Sequence, residues 1–192
     1  IIFMPNAATD NPFGWAQRVK KENPDMPIVV LTPFNRSLME HYAHEDLSAI
    51  DYVYNWLGNS ELLLAIIKQV EDRMNASDDI REVGLQTILF VEDSIRFYSA
   101  ILPMLYKHVF TQSRSFMTEA LNQHEQMLRM RGRPKILHAR TYEEAETLFL
   151  RYKDNMLGVI TDVEFSVNGK EDSKAGFKLC ELIRRYNAYT PI

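Results

Sequence analysis

Short apolar runs alternate along the chain with longer stretches in which apolar residues recur every three or four positions. The short runs are rich in β-branched residues and are bounded by polar or turn residues, so they predict strands buried on both faces of a parallel sheet. The longer stretches predict amphipathic helices. The predicted strands are residues 1–4, 28–32, 49–54, 87–91, 135–139 and 157–161. The predicted helices are residues 13–22, 33–44, 61–74, 95–130, 141–153 and 176–186.

This order of elements is typical of α/β proteins with parallel sheets. Residues 76–86 are polar and carry Asp78 and Asp79, so we predict a linker there between two units, 1–75 and 87–192. The first unit has the pattern of the C-terminal part of a five-stranded domain. The second has the pattern of a domain that runs through its third helix to the start of its fourth strand. Both units are therefore expected to be incomplete in this chain.

The composition of the 192 residues narrows the class of protein. Hydrophobic residues make up 46% and charged residues 25%, which predicts a packed core rather than disorder. The net charge of −4 does not indicate nucleic-acid binding, and no apolar run approaches the ~20 residues that span a bilayer. The single Cys180 excludes an intramolecular disulfide and favours a reducing cytoplasm. The histidines show no metal-ligand spacing.

Acidic residues follow two of the predicted strands directly. Glu92 and Asp93 come after the strand 87–91, and Asp162 comes after the strand 157–161. Because ligands of parallel sheets bind beyond the carboxyl ends of the strands, the three carboxylates are expected to converge at one edge if the strands are neighbours. Like charges crowded there repel, and a hard cation with oxygen ligands such as Mg²⁺ would relieve the repulsion.

A simpler interpretation of these acids is helix capping. Asp93 or Ser94 could be the N-cap of the helix that begins near residue 95. Capping would account for one acid but not for three acids at the ends of two strands, so the combination favours a cation site.

With these acids in place, the second unit resembles a response-regulator receiver domain. The segment "ILFVEDS" matches the first-strand motif of the family, "GVITDVEF" the third-strand motif and "AGFKLCELIRRY" the start of the third helix. The resemblance implies that Asp162 is the phosphoacceptor. It also implies that Glu92, Asp93 and Asp162 bind Mg²⁺, together with the backbone carbonyl of Glu164.

The resemblance further implies a fold and a function. The fold would be a flavodoxin-like parallel five-stranded sheet with helices on both faces, present in two units. A histidine kinase or phosphotransfer protein would donate the phosphoryl group, and its arrival would switch the interactions of the receiver. The chain would then be a phospho-accepting regulator rather than an enzyme with substrate turnover. The tandem arrangement also resembles the signalling part of phosphoenolpyruvate-synthase-like proteins.

The first unit resembles the same family from its third strand onward. Its "IVVLTPF" matches the fourth strand, which places Thr32 at the switch-hydroxyl position, and its "AIDYVYNWLGN" matches the fifth strand. Two departures stand out: Met4 occupies the phosphoacceptor position, and Asn55-Trp56 stands where the family has a lysine. Since a thioether can neither attack phosphorus here nor hold a hard cation, this unit is expected to be a phosphorylation-dead pseudo-receiver. Met4 and Trp56 are then expected to be packing residues.

The second unit departs from the family in the lengths of one loop and one helix. The loop after Asp162 is longer than usual, and we expect residues 166–174 to be a polar loop. The helix 95–130 is longer by several turns, and Pro103 should kink it or end its first turns. The switch Thr or Ser and the lysine that would complete this site are expected after Ile192.

Two other functions remain open. Asp162-Val163-Glu164 offers a poor match to the Asp-x-Asp motif of haloacid-dehalogenase-like phosphatases. Alternatively, neither unit is phosphorylated, and the chain is an interaction module that forms a homodimer through the helix 95–130. A sparse apolar stripe on that helix comprises Phe110, Met117, Leu121 and Leu128. A basic run follows at Arg129, Arg131, Arg133 and Lys135, and we expect a solvated helix terminus there rather than a nucleic-acid contact.

Overall fold

The computed structural model of the protein describes residues 1–5, 12–33, 48–118 and 132–192. These residues form eight strands and five α-helices. The strands are β1 Ile2–Phe3, β2 Val29–Pro33, β3 Tyr52–Trp56, β4 Thr87–Val91, β5 Lys135–Ala139, β6 Met156–Thr161, β7 Phe165–Val167 and β8 Lys170–Asp172. The helices are α1 Pro12–Glu22, α2 Glu61–Val83, α3 Ile95–Thr118, α4 Tyr142–Tyr152 and α5 Ala175–Tyr186.

Two parallel three-stranded sheets and one hairpin organise these elements. The first sheet has the order β1-β2-β3 and the second has the order β5-β4-β6, while β7 and β8 pair antiparallel. The predicted α/β class with parallel sheets is therefore confirmed. Each sheet has three strands among the described residues, so the five-stranded sheet stays a prediction.

Most predicted elements lie where the apolar runs place them. β4 and β5 have the predicted bounds, and α4 begins after its N-cap Thr141, whose side chain accepts a hydrogen bond from the Glu144 N–H. The third strand is displaced, because it begins at Tyr52 rather than at residue 49. The predicted helix 33–44 falls almost wholly outside the described residues.

Helix α2 is longer than its sequence predicts. The expected end at Met74 is wrong, because the helix continues to Val83 and ends at Gly84 in the left-handed conformation (φ 69°). Ala76 is buried on its inner face, while Asp78 and Arg81 form an exposed ion pair at 2.8 Å. Residues 76–83 of the predicted linker are therefore helical, and their polar residues occupy the outer face of the helix.

Helix α3 passes through Pro103 without ending there. It is helical from Ile95 to Thr118, and the rest of the predicted helix lies outside the described residues. Phe110 packs against the core of its own chain and is therefore not an exposed member of the predicted stripe. The other three stripe residues have no described side chains, so the homodimer stays a prediction.

One hydrophobic core joins the two sheets. Its sheet residues include Leu31 and Tyr54 from the first sheet and Phe90 and Ile136 from the second, and helices α2 and α3 fill the space between them. The helix residues of this core include Leu62, Ala65, Ile66, Tyr98, Leu102, Tyr106 and Val109. A second core on the opposite face of the second sheet is covered by α4, α5 and the hairpin.

A buried ionic cluster fastens α2 to β5. The fully buried Asp72 contacts Arg133 through both oxygens, at 2.6 and 2.9 Å, and accepts hydrogen bonds from Tyr106 and from the Ile136 N–H. Lys135 is also buried and lies 3.6 Å from Asp72. The predicted solvated helix terminus is thus wrong for Arg133 and Lys135, because an acid on a neighbouring helix pairs with both. The other two basic residues of the run lie outside the described residues.

The long loop after β6 is a β-hairpin. The prediction of a polar loop over residues 166–174 is wrong, because β7 and β8 pair around Asn168 and Gly169. Both turn residues have positive φ, 51° and 74°, which is the backbone of a type I′ turn. Phe165 anchors the hairpin in the core, and the Asn168 N–H donates to Glu143 at 2.7 Å.

Helix α5 and the chain end lie against the second sheet. Leu179 and Ile183 are buried on its inner face, whereas Phe177 is 61% exposed. The Val159 N–H on the outer edge of β6 donates to the Pro191 carbonyl at 2.8 Å. None of the helices in the described part of the chain is long and apolar enough to cross a membrane.

Candidate functional site

Three predicted site residues meet at the carboxyl edge of the second sheet. Glu92 and Asp93 follow β4, Asp162 follows β6, and the parallel register pairs Val91 with Thr161 so that both strands end together. One carboxylate oxygen from each acid lies within 4.8 Å of the others. The structure therefore brings together the acids that the sequence placed at the ends of neighbouring strands.

Backbone hydrogen bonds hold the Asp162 turn. Its N–H donates to the Val91 carbonyl at 2.9 Å, which ties the turn to β4. The Val163 N–H donates to Asp162 Oδ1 at 2.6 Å, and the Thr161 hydroxyl donates to the Asp162 carbonyl at 2.8 Å. Among the described residues, no hydrogen bond to Asp162 Oδ2 is found, so this oxygen is available for chemistry.

Glu92 is held on the other side of the site. Its N–H donates to the Ala139 carbonyl at 3.1 Å, and its Oε1 accepts the Ser94 N–H at 3.0 Å. The Glu92 carboxylate thus satisfies a backbone donor at the start of α3, a capping role that the sequence offered to Asp93 or Ser94. Within the described ranges no hydrogen bond to Glu92 Oε2 is found, so this oxygen is open to a ligand.

The crowding of these acids changes their acidity. Burial raises the pKa of Glu92, the Ser94 N–H opposes this, and the charges of Asp162 and Asp93 raise the pKa further. Burial and the charge of Asp162 likewise raise the pKa of Asp93. Carboxylates that repel one another in a partly desolvated site gain from a cation between them, and oxygen donors suit a hard divalent ion.

The hairpin adds two groups to the site that the sequence did not reveal. The backbone N–H of Ser166 lowers the pKa of Asp93, and the charge of Glu171 raises it. Their approach depends on the hairpin, for which the Asn168-Gly169 pair between two short runs was the available signal.

Glu164 lies between β6 and β7 and is exposed. Its side chain is not among the carboxylates that converge in the described residues. The predicted binding of a cation by its backbone carbonyl stays a prediction.

Helix α5 touches the backbone of the Asp162 turn at Gly176. The Gly176 N–H donates to the Val163 carbonyl at 3.0 Å. A Cβ atom at this position would lie 2.3 Å from the Asp162 carbonyl oxygen and 2.9 Å from Val163 Cα. Glycine is therefore required for the first turn of α5 to approach the site. The reason is the lack of space for a Cβ atom, since the φ of Gly176 lies outside the positive region.

His138 lies behind the acids, on β5. Its Nε2 contacts the Glu92 carbonyl at 2.8 Å, and its ring packs between Phe90 and Tyr98, with ring centroids 5.3 and 4.8 Å away. Burial lowers the pKa of His138 to about 4, so the imidazole is neutral at pH 7. The spacing of the histidines predicted no metal role for this residue, and that absence stays a prediction.

The matching edge of the first sheet has different residues. The Thr32 hydroxyl donates to Asn55 Oδ1 at 3.1 Å, and both side chains are buried. Trp56 packs beside the core as expected, whereas Met4, expected to pack, is 48% exposed. The description of Thr32 as a vestigial switch residue stays a prediction, although its hydroxyl has a structural partner.

Comparison with known proteins adds no family to this picture. No protein-family model matches the chain, and neither the curated proteins nor the solved structures contain a significant match. The class that fold and site define is an α/β protein with an acidic cluster at the carboxyl edge of a parallel sheet. Its function is inferred below from its own residues.

Proposed function

We propose that the chain is a signal-transduction response regulator whose second unit accepts a phosphoryl group on Asp162 in a Mg²⁺-dependent reaction. A histidine kinase or phosphotransfer protein would be the donor. The observation that carries this proposal is the convergence of Glu92, Asp93 and Asp162 within 4.8 Å at the ends of neighbouring parallel strands.

The topology supports a flavodoxin-like receiver for this unit. The order β5-β4-β6 equals 2-1-3 when the strands of this unit are numbered by themselves, which is how a flavodoxin-like sheet begins. The hydrogen bond from Val159 to Pro191 lies on the edge of β6 where the next strand of such a sheet would pair.

The donor set fits a magnesium ion. Glu92, Asp93 and Asp162 would supply carboxylate oxygens, and the carbonyl of Glu164 would be a fourth protein ligand. The ion would neutralise charge on the phosphoryl oxygens, which is the main requirement in phosphoryl transfer. The raised pKa values of Glu92 and Asp93 agree with a site whose charge is balanced when a cation binds.

In the proposed step, Asp162 is the nucleophile. The Val163 N–H holds Oδ1, so Oδ2 attacks the phosphorus of a phosphohistidine. The new O–P bond forms as the P–N bond breaks, and the electron pair goes to the imidazole nitrogen, which takes a proton from solvent. Asp162 is left as an acyl phosphate.

The added charge would act on the elements around Asp162. Gly176 places the first turn of α5 against the Asp162 backbone, and Ser166 and Glu171 of the hairpin lie beside Asp93. Phosphorylation adds negative charge and acceptor oxygens, so it would shift the populations of these neighbours. The first unit would serve as a pseudo-receiver without its own phosphoacceptor, since Met4 occupies that position.

Beryllofluoride binding in the presence of Mg²⁺ tests the proposal, since this anion mimics a phosphoryl group on aspartate. Isothermal calorimetry should detect binding to the wild-type protein and to Glu164→Gln. It should detect none to Asp162→Asn, which keeps the shape of the side chain but loses its charge.

Failure of the wild type to bind, or equal binding by Asp162→Asn, would contradict the proposal. Steady phosphatase turnover on a small phosphomonoester, abolished by Glu164→Gln, would instead support the haloacid-dehalogenase-like alternative.

A further inference from the structure

A continuous line of buried hydrogen bonds joins the first sheet to the acid site. The Tyr54 hydroxyl on β3 donates to Gln69 Oε1 on α2. Gln69 Nε2 contacts His138 Nδ1 on β5 at 3.1 Å, and His138 Nε2 contacts the Glu92 carbonyl at 2.8 Å. All three side chains are at least 93% buried, so water does not compete for these bonds.

Each bond in this line has one possible direction. The Glu92 carbonyl can only accept, so His138 Nε2 carries the proton. A neutral imidazole then accepts at Nδ1, which requires the amide nitrogen of Gln69 to donate, and this leaves Gln69 Oε1 to accept the Tyr54 hydroxyl. Hydrogen bonds that run in one direction through a buried chain polarise and strengthen one another.

The end of the line is the peptide group between two of the site acids. The Glu92 carbonyl belongs to the peptide bond that joins Glu92 to Asp93, so its orientation sets the directions in which both carboxylates leave the backbone. A bond from His138 to this oxygen fixes the peptide plane. Cation binding by two adjacent acids depends on that plane.

Two further hydrogen bonds join β3 to the region next to the acids. The Tyr98 hydroxyl of α3 donates to the Val53 carbonyl, and the Asn55 N–H donates to Ser99 Oγ at 3.0 Å. These bonds satisfy the open edge of β3 and fasten the first turns of α3, which begins directly after the acids. The Tyr98 ring also packs on His138.

We propose that the first unit is a positioning element for the acid site, and that Tyr54, Gln69 and His138 hold the Glu92–Asp93 peptide group in the orientation that binds a cation. This inference rests on the proposed cation-dependent function of that site. The three are positioning residues, because none of them contacts the reacting atoms.

Two matched substitutions on either side of α2 test this inference. Tyr54→Phe and Tyr106→Phe each remove one buried hydroxyl that donates to an α2 side chain, Gln69 in one case and Asp72 in the other. Both keep the aromatic ring in the core. The Tyr54 bond leads to the acid site, and the Tyr106 bond leads to the Arg133 ion pair instead.

The first readout is hydrogen exchange of residues 92–94 in metal-free protein. Loss of one hydrogen bond of ordinary strength should make exchange there roughly threefold to tenfold faster in Tyr54→Phe. Tyr106→Phe should leave it within about twofold of wild type. Equal rates in the two variants would overturn the inference.

The second readout is the dissociation constant for Mg²⁺ alone. It should rise roughly threefold to tenfold in Tyr54→Phe and stay within about twofold in Tyr106→Phe. If wild type binds Mg²⁺ and both variants bind equally well, the inference fails and the proposed function stands. If wild type binds no Mg²⁺, the proposed function fails, and the exchange rates still decide whether Tyr54 acts on the Glu92–Asp93 peptide.

Discussion

At the scale of single residues, burial decides what each polar group can do. His138 is 7% exposed, and Asp72 is fully buried; each is surrounded by partners that satisfy it. Neither role could be predicted from the sequence, because polarity along a helix or strand does not distinguish a solvated side chain from a buried and paired one. The site acids were predictable, since parallel strands end at a common edge and place their following residues there.

The lowered pKa of His138 predicts a loss of stability in acid. Burial is the main cause; Arg140 and Arg73 also lower the pKa, while the contact with Glu92 and the charge of Glu144 raise it. The unfolded histidine takes a proton near its ordinary pKa of 6.5, and the folded one near 4. The contribution is therefore fully present above about pH 6.5 and is lost as the pH falls to about 4, by about 3 kcal/mol at most.

Urea unfolding of wild type and His138→Gln at neutral pH and near pH 4 measures this effect. Glutamine can still donate to the Glu92 carbonyl but does not titrate, so the variant should lose less stability between the two pH values. Parallel losses in both proteins would show that His138 does not cause the pH dependence.

Gly176 should tolerate no side chain. In Gly176→Ala the new Cβ would lie 2.3 Å from the Asp162 carbonyl oxygen, a backbone atom that cannot move without shifting the site. We expect a loss of roughly 1–3 kcal/mol in the free energy of unfolding, measured by chemical denaturation, and weaker beryllofluoride binding.

Gly158→Ala is the matched control for that substitution. Its Cβ would lie 3.5 Å from the Pro191 carbonyl oxygen, an ordinary contact distance, so its effect should stay within about 0.5 kcal/mol. Equal effects of the two substitutions would mean that the close contact at Gly176 does not cause the loss of stability.

At the scale of elements, apolar periodicity located most helices and strands but not every end. α2 continues past Met74 because polar residues such as Asp78 and Arg81 can occupy the outer face of a helix whose inner residue Ala76 is buried. The hairpin β7–β8 was missed because its strands are short and polar, although the Asn168-Gly169 turn was a usable signal. The approach of Glu171 to the acids required that hairpin, so the sequence did not predict it.

The attachment of α2 to β5 should depend on Asp72. In Asp72→Asn the shape is kept, but Arg133 loses the carboxylate that it contacts at 2.6 and 2.9 Å in a buried position. We expect a loss of roughly 3–5 kcal/mol in the free energy of unfolding, because a buried cation is left without its partner.

Asp78→Asn provides the comparison for this loss. It breaks the exposed pair with Arg81, and its effect should be roughly 0–1 kcal/mol because water solvates both charges. Chemical denaturation of the two variants measures the difference. A similar small loss in both would contradict the anchoring role of Asp72.

At the scale of the whole molecule, the two sheets share a core. The sequence predicted two α/β units in order, because that order follows from local patterns. It did not predict that α2 and α3 lie between the two sheets, or that Tyr54 of the first unit reaches His138 of the second through Gln69. Such contacts depend on which helix faces meet, and many pairings of apolar faces satisfy the same pattern.

Intact-protein mass spectrometry after incubation with acetyl phosphate and Mg²⁺ measures whether Asp162 is phosphorylated. We expect a mass increase of one phosphoryl group on the wild-type protein, which is lost when a chelator is present and is absent from Asp162→Asn. An unmodified wild-type protein, or an equal adduct on Asp162→Asn, would contradict the proposed phosphorylation.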